Sequence, residues 1–250
     1  MKIPAIFISL LLPITDVFAC HVNIFANENM KPKVYLENGQ AKGILIDMMD
    51  YIGADINCKF SYHLSSWARA YKNMLDRKGG VIGLSFTHAR EQLIDYSDVM
   101  YNEDILLVSH INSPLNYKNI NDLSEKKLAA SRSAMYSDEF EQAIKDNVFT
   151  FIADNGNPAH RLKLVAKERI DLAIISPGLH AFNSVFDDNP EMLSLKRLLY
   201  ISPQKFFVNP NYLGFSKQSN HKAFLKKFNQ SMKKARENGV FKAIEKKYLY

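Results

Sequence analysis

The sequence predicts an α/β fold with a largely parallel sheet, and three observations carry that expectation. Short apolar runs rich in Val, Ile and Phe alternate with helix-like stretches along most of the 250 residues. Apolar residues make up 47% and charged residues 23%, the balance of an ordinary packed protein. The length suffices for one sizeable core or two modest lobes, and no repeat or low-complexity tract interrupts it after residue 20.

The chain opens with Lys2, an apolar run from Ile3 to Ile14, and Val17-Phe18-Ala19. This is the charge, apolar core and small-residue site of a secretory signal, assigned to residues 1–19. The run is too short to cross a bilayer as a helix, which needs roughly 20 apolar residues. The expected location of the remainder is the periplasm. Cys20 and Cys58 are the only cysteines. Each begins an apolar stretch, HVNIFAN and KFSYHL, and if these are neighbouring parallel strands their first residues can be bridged. Lipidation of Cys20 and two free thiols are the alternatives. The formal charge is +6, with lysines clustered towards the C-terminus at helical spacing. Such a cluster reads as a solvated face, and export argues against a nucleic-acid partner.

The elements follow in order. Val22–Phe25 is a first strand. Asp47 can cap a helix carrying Met48, Met49 and Ile52 on one side. Lys59–Leu64 alternates as a strand, and Ser65 or Ser66 can cap a helix from Trp67 to Arg77. Val81–Leu84 and Ile105–Val108 are short strands. Asn112–Asn121 reads as a connection. A second unit then has a strand at Leu128–Ala130, a helix opened by Ser137, a helix over His160–Lys167, and a strand at Leu172–Ile175. Phe206–Val208 and Tyr212–Phe215 look extended. The tail from His221 is helical, with a break at Gly239.

Three stretches, GILIDMMDYIGADI, WARAYKNML and IGLSFTHAREQLIDYSDVMY, together with LAASRSAMYS, RIDLAIISP and the ending FLKKFNQSMKKARENGVFKAIEKKYL, resemble the family 3 extracellular solute-binding proteins. The resemblance implies a two-lobed periplasmic-binding-protein fold of type II with two hinge-crossing strands. It places lobe one at 20–109 and 205–250, and lobe two at 110–204. A ligand would sit between them and the lobes would close on it by hinge motion.

Residue by residue, the resemblance sets Gly83, Ser85 and Arg90 on a carboxylate site. The chemistry is consistent: glycine permits close approach, Thr87 can cap the next turn, and a guanidinium matches a carboxylate in two hydrogen bonds. Trp67, the only tryptophan, falls near the family's aromatic wall, beside Arg69. A core position for Trp67 and a salt bridge from Arg90 to Asp95 or Glu91 are the structural alternatives. Asn27–Lys31 can line the rim. Arg132 and Ser133 resemble a second anion-facing loop, and Tyr136 replaces a family glycine. Ser176 stands where amino-acid-binding members have an acid for the ligand's ammonium group. That departure argues against a standard α-amino acid and leaves a small polar, carboxylate-bearing ligand.

The expected role is capture of such a ligand by a monomer that delivers it to an ABC-type permease, or signals to a membrane receptor. A cyclohexadienyl-dehydratase-like enzyme on the same fold is the other class. It needs a general acid in the cleft, and His88, His160 and His180 stand in no matching constellation. No nucleophile turn, phosphate loop or zinc helix occurs, so no catalytic residue, metal or cofactor is assigned.

Overall fold

The computed structural model describes residues 20–132, 137–155 and 157–249. It begins with β1 (Cys20–Asn27), then β2 (Asn29–Met30), β3 (Val34–Glu37) and β4 (Gln40–Lys42), a small antiparallel sheet. Next come α1 (Ile44–Asp55), β5 (Cys58–Ser65), α2 (Trp67–Leu75), β6 (Gly80–Ser85), the single turn α3 (His88–Glu91), β7 (Ile94–Tyr96) and the long β8 (Tyr101–His110). The second unit has β9 (Lys127–Ser131), α4 (Asp138–Lys145), β10 (Thr150–Asp154), α5 (Pro158–Ala166), β11 (Leu172–Ile175), α6 (Gly178–Asp188), α7 (Leu193–Lys196) and β12 (Leu199–Ile201). The long β13 (Phe207–Ser216) leads into α8 (Lys222–Glu237) and α9 (Val240–Leu249).

The main sheet runs β10-β9-β11-β8-β13-β6-β1-β5. Two strands of ten residues hold its centre. Tyr101–Ile105 of β8 pairs antiparallel with Phe207–Asn211 of β13. Beyond that overlap β8 continues to β11 and β12, while β13 continues to β6 and β7. These are the two hinge-crossing strands of a two-lobed fold. Each side carries its own apolar clusters. Ile24, Leu45, Met48, Phe215 and Phe228 belong to one side, and Val108, Leu162, Phe182 and Phe186 to the other.

Local sequence explains the packing. In α8 the buried residues Leu225, Phe228, Met232 and Ala235 recur at helical spacing, and lysines fill the outer face. Gly239, at φ 74, separates α8 from α9 in a conformation that suits glycine. The two extended pieces at 206–208 and 212–215 are parts of the one strand β13. Cys20 lies opposite Cys58 in the parallel β1–β5 pair, with Cα atoms 4.6 Å apart, and the two form a disulfide.

One cap differs from expectation. Helix α1 starts after Gly43 rather than at Asp47, and its first amides, on Ile44 and Leu45, donate to the carbonyls of Pro32 and Lys33 at 3.1 Å. A Cβ at Gly43 would lie 2.4 Å from the Lys33 carbonyl oxygen, so this docking requires glycine. Asp47 instead accepts from Lys247 Nζ at 2.7 Å and the Tyr248 hydroxyl at 3.0 Å, tying the last helix to α1.

Candidate binding site

The cleft floor begins at a bulge. Opposite β13, the register skips from Ile82–Leu213 to Leu84–Tyr212, which leaves Gly83 unpaired at φ 74. A side chain there is strained even though space exists, since its Cβ would meet nothing closer than 3.6 Å. Ser85 ends the strand. Thr87 then caps α3 by accepting from the Arg90 amide at 3.2 Å, as its sequence position suggests.

Arg90 is the best-defined group on this side. It is 9% exposed, and its Nη1 donates to the Ser85 carbonyl at 3.1 Å. The guanidinium carbon lies 5.1 Å from the Tyr71 ring centroid and 5.7 Å from that of Trp67, within cation–π range. Among the described residues Arg90 makes no ion pair; Glu91 faces His88 at 3.6 Å instead. Only one of its five N–H donors has a protein acceptor among those bonds, which leaves the planar fork available to an anion.

The second centre was not foreseen in the sequence. Glu103, on β8, is 1% exposed. Its Oε2 accepts from Lys33 Nζ at 2.7 Å, Asn211 Nδ2 at 3.0 Å and Asn209 Nδ2 at 3.2 Å. Its Oε1 accepts from the Ser176 hydroxyl at the end of β11. Burial alone would raise the Glu103 carboxyl. The charge of Lys33 and the hydrogen bonds from Lys33, Ser176 and Asn211 outweigh it and hold the group below the usual glutamate value. Lys33 is itself buried, held by the docking of its loop on α1.

Across the cleft, Arg161 of α5 makes two bonds from Nη1 to Asp154, at 2.7 and 2.9 Å, while its buried Nε has no hydrogen-bond partner among the described residues. The Arg132 amide donates to the Asp154 carbonyl at 2.8 Å, and its side chain is exposed.

Trp67, Gly83, Ser85, Arg90, Arg132 and Ser176 line one cleft of about 1150 Å3, together with Lys33, Glu103, Asp154 and Arg161. Asn27–Lys31 line its rim, as does His160. Arg69 is exposed and, like His88 and His180, is not among the lining residues. Ser133 and Tyr136 lie outside the described residues, as does the segment 1–19. The sequence signals for the missed residues are modest. Glu103 lies in the polar start of β8, between Asn102 and Asp104, and Asn209 and Asn211 recur at period two on β13.

A cleft between two α/β lobes joined by two crossing strands defines a hinged binding protein of the type II class. The chain belongs to the bacterial extracellular solute-binding proteins, family 3, whose model matches residues 22–250. Solved structures agree in fold. A histidine kinase sensor domain with similarity to periplasmic binding proteins superposes with a TM-score of 0.74 at 16% identity, covering 91% of this chain and 95% of the other. An ancestral arginine-binding protein bound to arginine gives 0.72 at 18%, covering 92% and 98%. The arginine-, lysine-, histidine-binding protein ArtJ of Geobacillus stearothermophilus gives 0.68 at 19%, covering 91% and 94%. No curated protein matches the chain in sequence. Among the described residues no helix is long and apolar enough to cross a membrane.

Proposed function

We propose that the protein captures a small carboxylate-bearing solute between lobe one, residues 20–109 with 205–250, and lobe two, residues 110–204. We further propose that it works outside the inner membrane after removal of residues 1–19 and delivers the solute to an ABC-type importer. The observation that carries this reading is Arg90: a nearly buried guanidinium at the cleft, backed by two aromatic rings, with no internal counter-ion among the described residues. Trp67, Gly83 and Ser85 complete the anion site in this reading, Arg132 and Ser176 serve the ligand from the other lobe, and Ser133 and Tyr136, outside the described residues, are assigned to it by resemblance alone.

A sensing role is the second reading, favoured by the likeness to a histidine kinase sensor domain. An enzyme finds less support. Two of the carboxylates that line the cleft, Glu103 and Asp154, each face a cation within the protein rather than standing ready as proton donors.

Thermal-shift screening against mono- and dicarboxylates, amines and sugars tests the reading, because a ligand that binds only the folded state stabilises it. A carboxylate is expected to raise the melting temperature of the wild type and not that of Arg90→Ala. A ligand shift of equal size in the variant, or a panel in which only amines or sugars stabilise the protein, would overturn it.

A further inference from the structure

The empty acid position at Ser176 has a counterpart in space. The Ser176 hydroxyl donates to Glu103, so a carboxylate from the hinge strand β8 stands beside the end of β11. Such a group could serve a ligand's ammonium, but its bonding is already complete. A carboxylate offers about four lone-pair sites, and Lys33, Asn209, Asn211 and Ser176 supply four donors to Glu103. The nearest charge is the Lys33 ammonium, a chemical double of the amino group a ligand would bring. A second acid of the cleft, the half-buried Asp154, has both oxygens on Arg161.

We infer that this cleft selects carboxylates that carry no α-ammonium group, because the protein's own Lys33 ammonium fills the cation position against Glu103. A zwitterion would set its ammonium near Lys33 with no carboxylate lone pair left to it and only the neutral Asn211 Oδ1, unpartnered among the described residues, as an acceptor, in a desolvated like-charge contact. The deamino acid of the same skeleton leaves the Lys33–Glu103 pair intact and presents its carboxylate to Arg90. Lys33 Nζ donates to Glu103 and has two further N–H groups, so a second oxygen on the ligand, as in a dicarboxylate or hydroxy acid, is accommodated. The inference rests on the reading of Arg90 as the carboxylate anchor and names the class of ligand that the same site takes.

Calorimetric titration with matched pairs differing only in the ammonium group provides the test: succinate against aspartate, glutarate against glutamate, and 3-phenylpropionate against phenylalanine. In at least one pair the deamino member is expected to bind the wild type tenfold or more tighter than its amino partner, with both lost in Arg90→Ala. Lys33→Met, which leaves Glu103 without its cation, is expected to narrow or reverse that ratio. The double variant Lys33→Met/Glu103→Gln, which leaves no lone buried charge, is also expected to narrow it because the competing ammonium is gone, and serves if the single variant does not fold; a ratio unchanged from the wild type in the variants that fold overturns the role of Lys33. An amino member that binds the wild type as tightly as its deamino partner, with both still dependent on Arg90, overturns the selectivity and spares the anchor. Binding of either member that is indifferent to Arg90→Ala, or no binding in any pair, overturns the anchor itself.

Discussion

Four donors converge on two oxygens at Glu103, and the arrangement is stable only as a set. Removing Lys33 leaves a buried carboxylate without its counter-charge, a change that typically costs about 3–5 kcal/mol. Chemical denaturation should therefore show Lys33→Met destabilised by that order, and Lys33→Met/Glu103→Gln restored to within about 1–2 kcal/mol of the wild type, since neutral groups of similar shape replace the pair. The pair also sets a pH dependence. The folded-state value of Glu103 is depressed, so its contribution is present above the unfolded value of about 4.3 and is lost as pH falls through the folded value. Unfolding curves collected from pH 6 down to pH 3 should show the wild type losing stability faster than the double variant. Parallel curves would remove Glu103 from the account of acid lability.

Elements carry the next layer. The bridge from Cys20 to Cys58 closes a loop of sequence separation 38 between two strand starts. In the chain-entropy model a loop of that size is worth about 4 kcal/mol. Reduction, or Cys20→Ala/Cys58→Ala, should lower stability by about 2–4 kcal/mol in denaturant titrations, without abolishing the parallel β1–β5 pairing that the flanking Val22, Ile24 and Ala26 bury. Gly83→Ala puts a side chain at φ 74 in the bulge and should cost about 1–2 kcal/mol while weakening ligand binding, because the cleft floor must shift.

At this scale the sequence was informative where periodicity or a cap was strong. The α8 face, the Gly239 break, the Thr87 cap on α3 and the strand over Leu172–Ile175 were legible, as was the parallel neighbourhood of the two cysteine-led strands. Helix α6 was not, because Gly178 and the preceding Pro177 read as a turn while its apolar face, Ala181, Phe182, Val185 and Phe186, is short. The small sheet β2–β4 was missed because its strands are two to four residues long and bury only Val34 among them. Among cleft residues, Arg90 and Trp67 were suggested by local pattern and resemblance. Lys33, Glu103, Asn209 and Asn211 were not, because they meet across 70 to 108 residues of chain and no local spacing encodes that meeting.

In the whole molecule, two cores are joined through β8 and β13, and the Glu103 cluster lies where they join. It takes Lys33 and Asn211 from the first lobe and the crossing strands, and Ser176 from the second. In the proposed function, closure of the lobes on a solute would be a rotation about these strands, and ligand and hinge would share a polar floor. In the proposed function Arg90 grips a carboxylate in this cleft. A double-mutant cycle in calorimetry measures it: the best carboxylate ligand and its primary amide, each titrated into the wild type and Arg90→Ala. The expected coupling between guanidinium and carboxylate is about 1.5–3 kcal/mol, with the amide nearly indifferent to the substitution. A coupling near zero would contradict it.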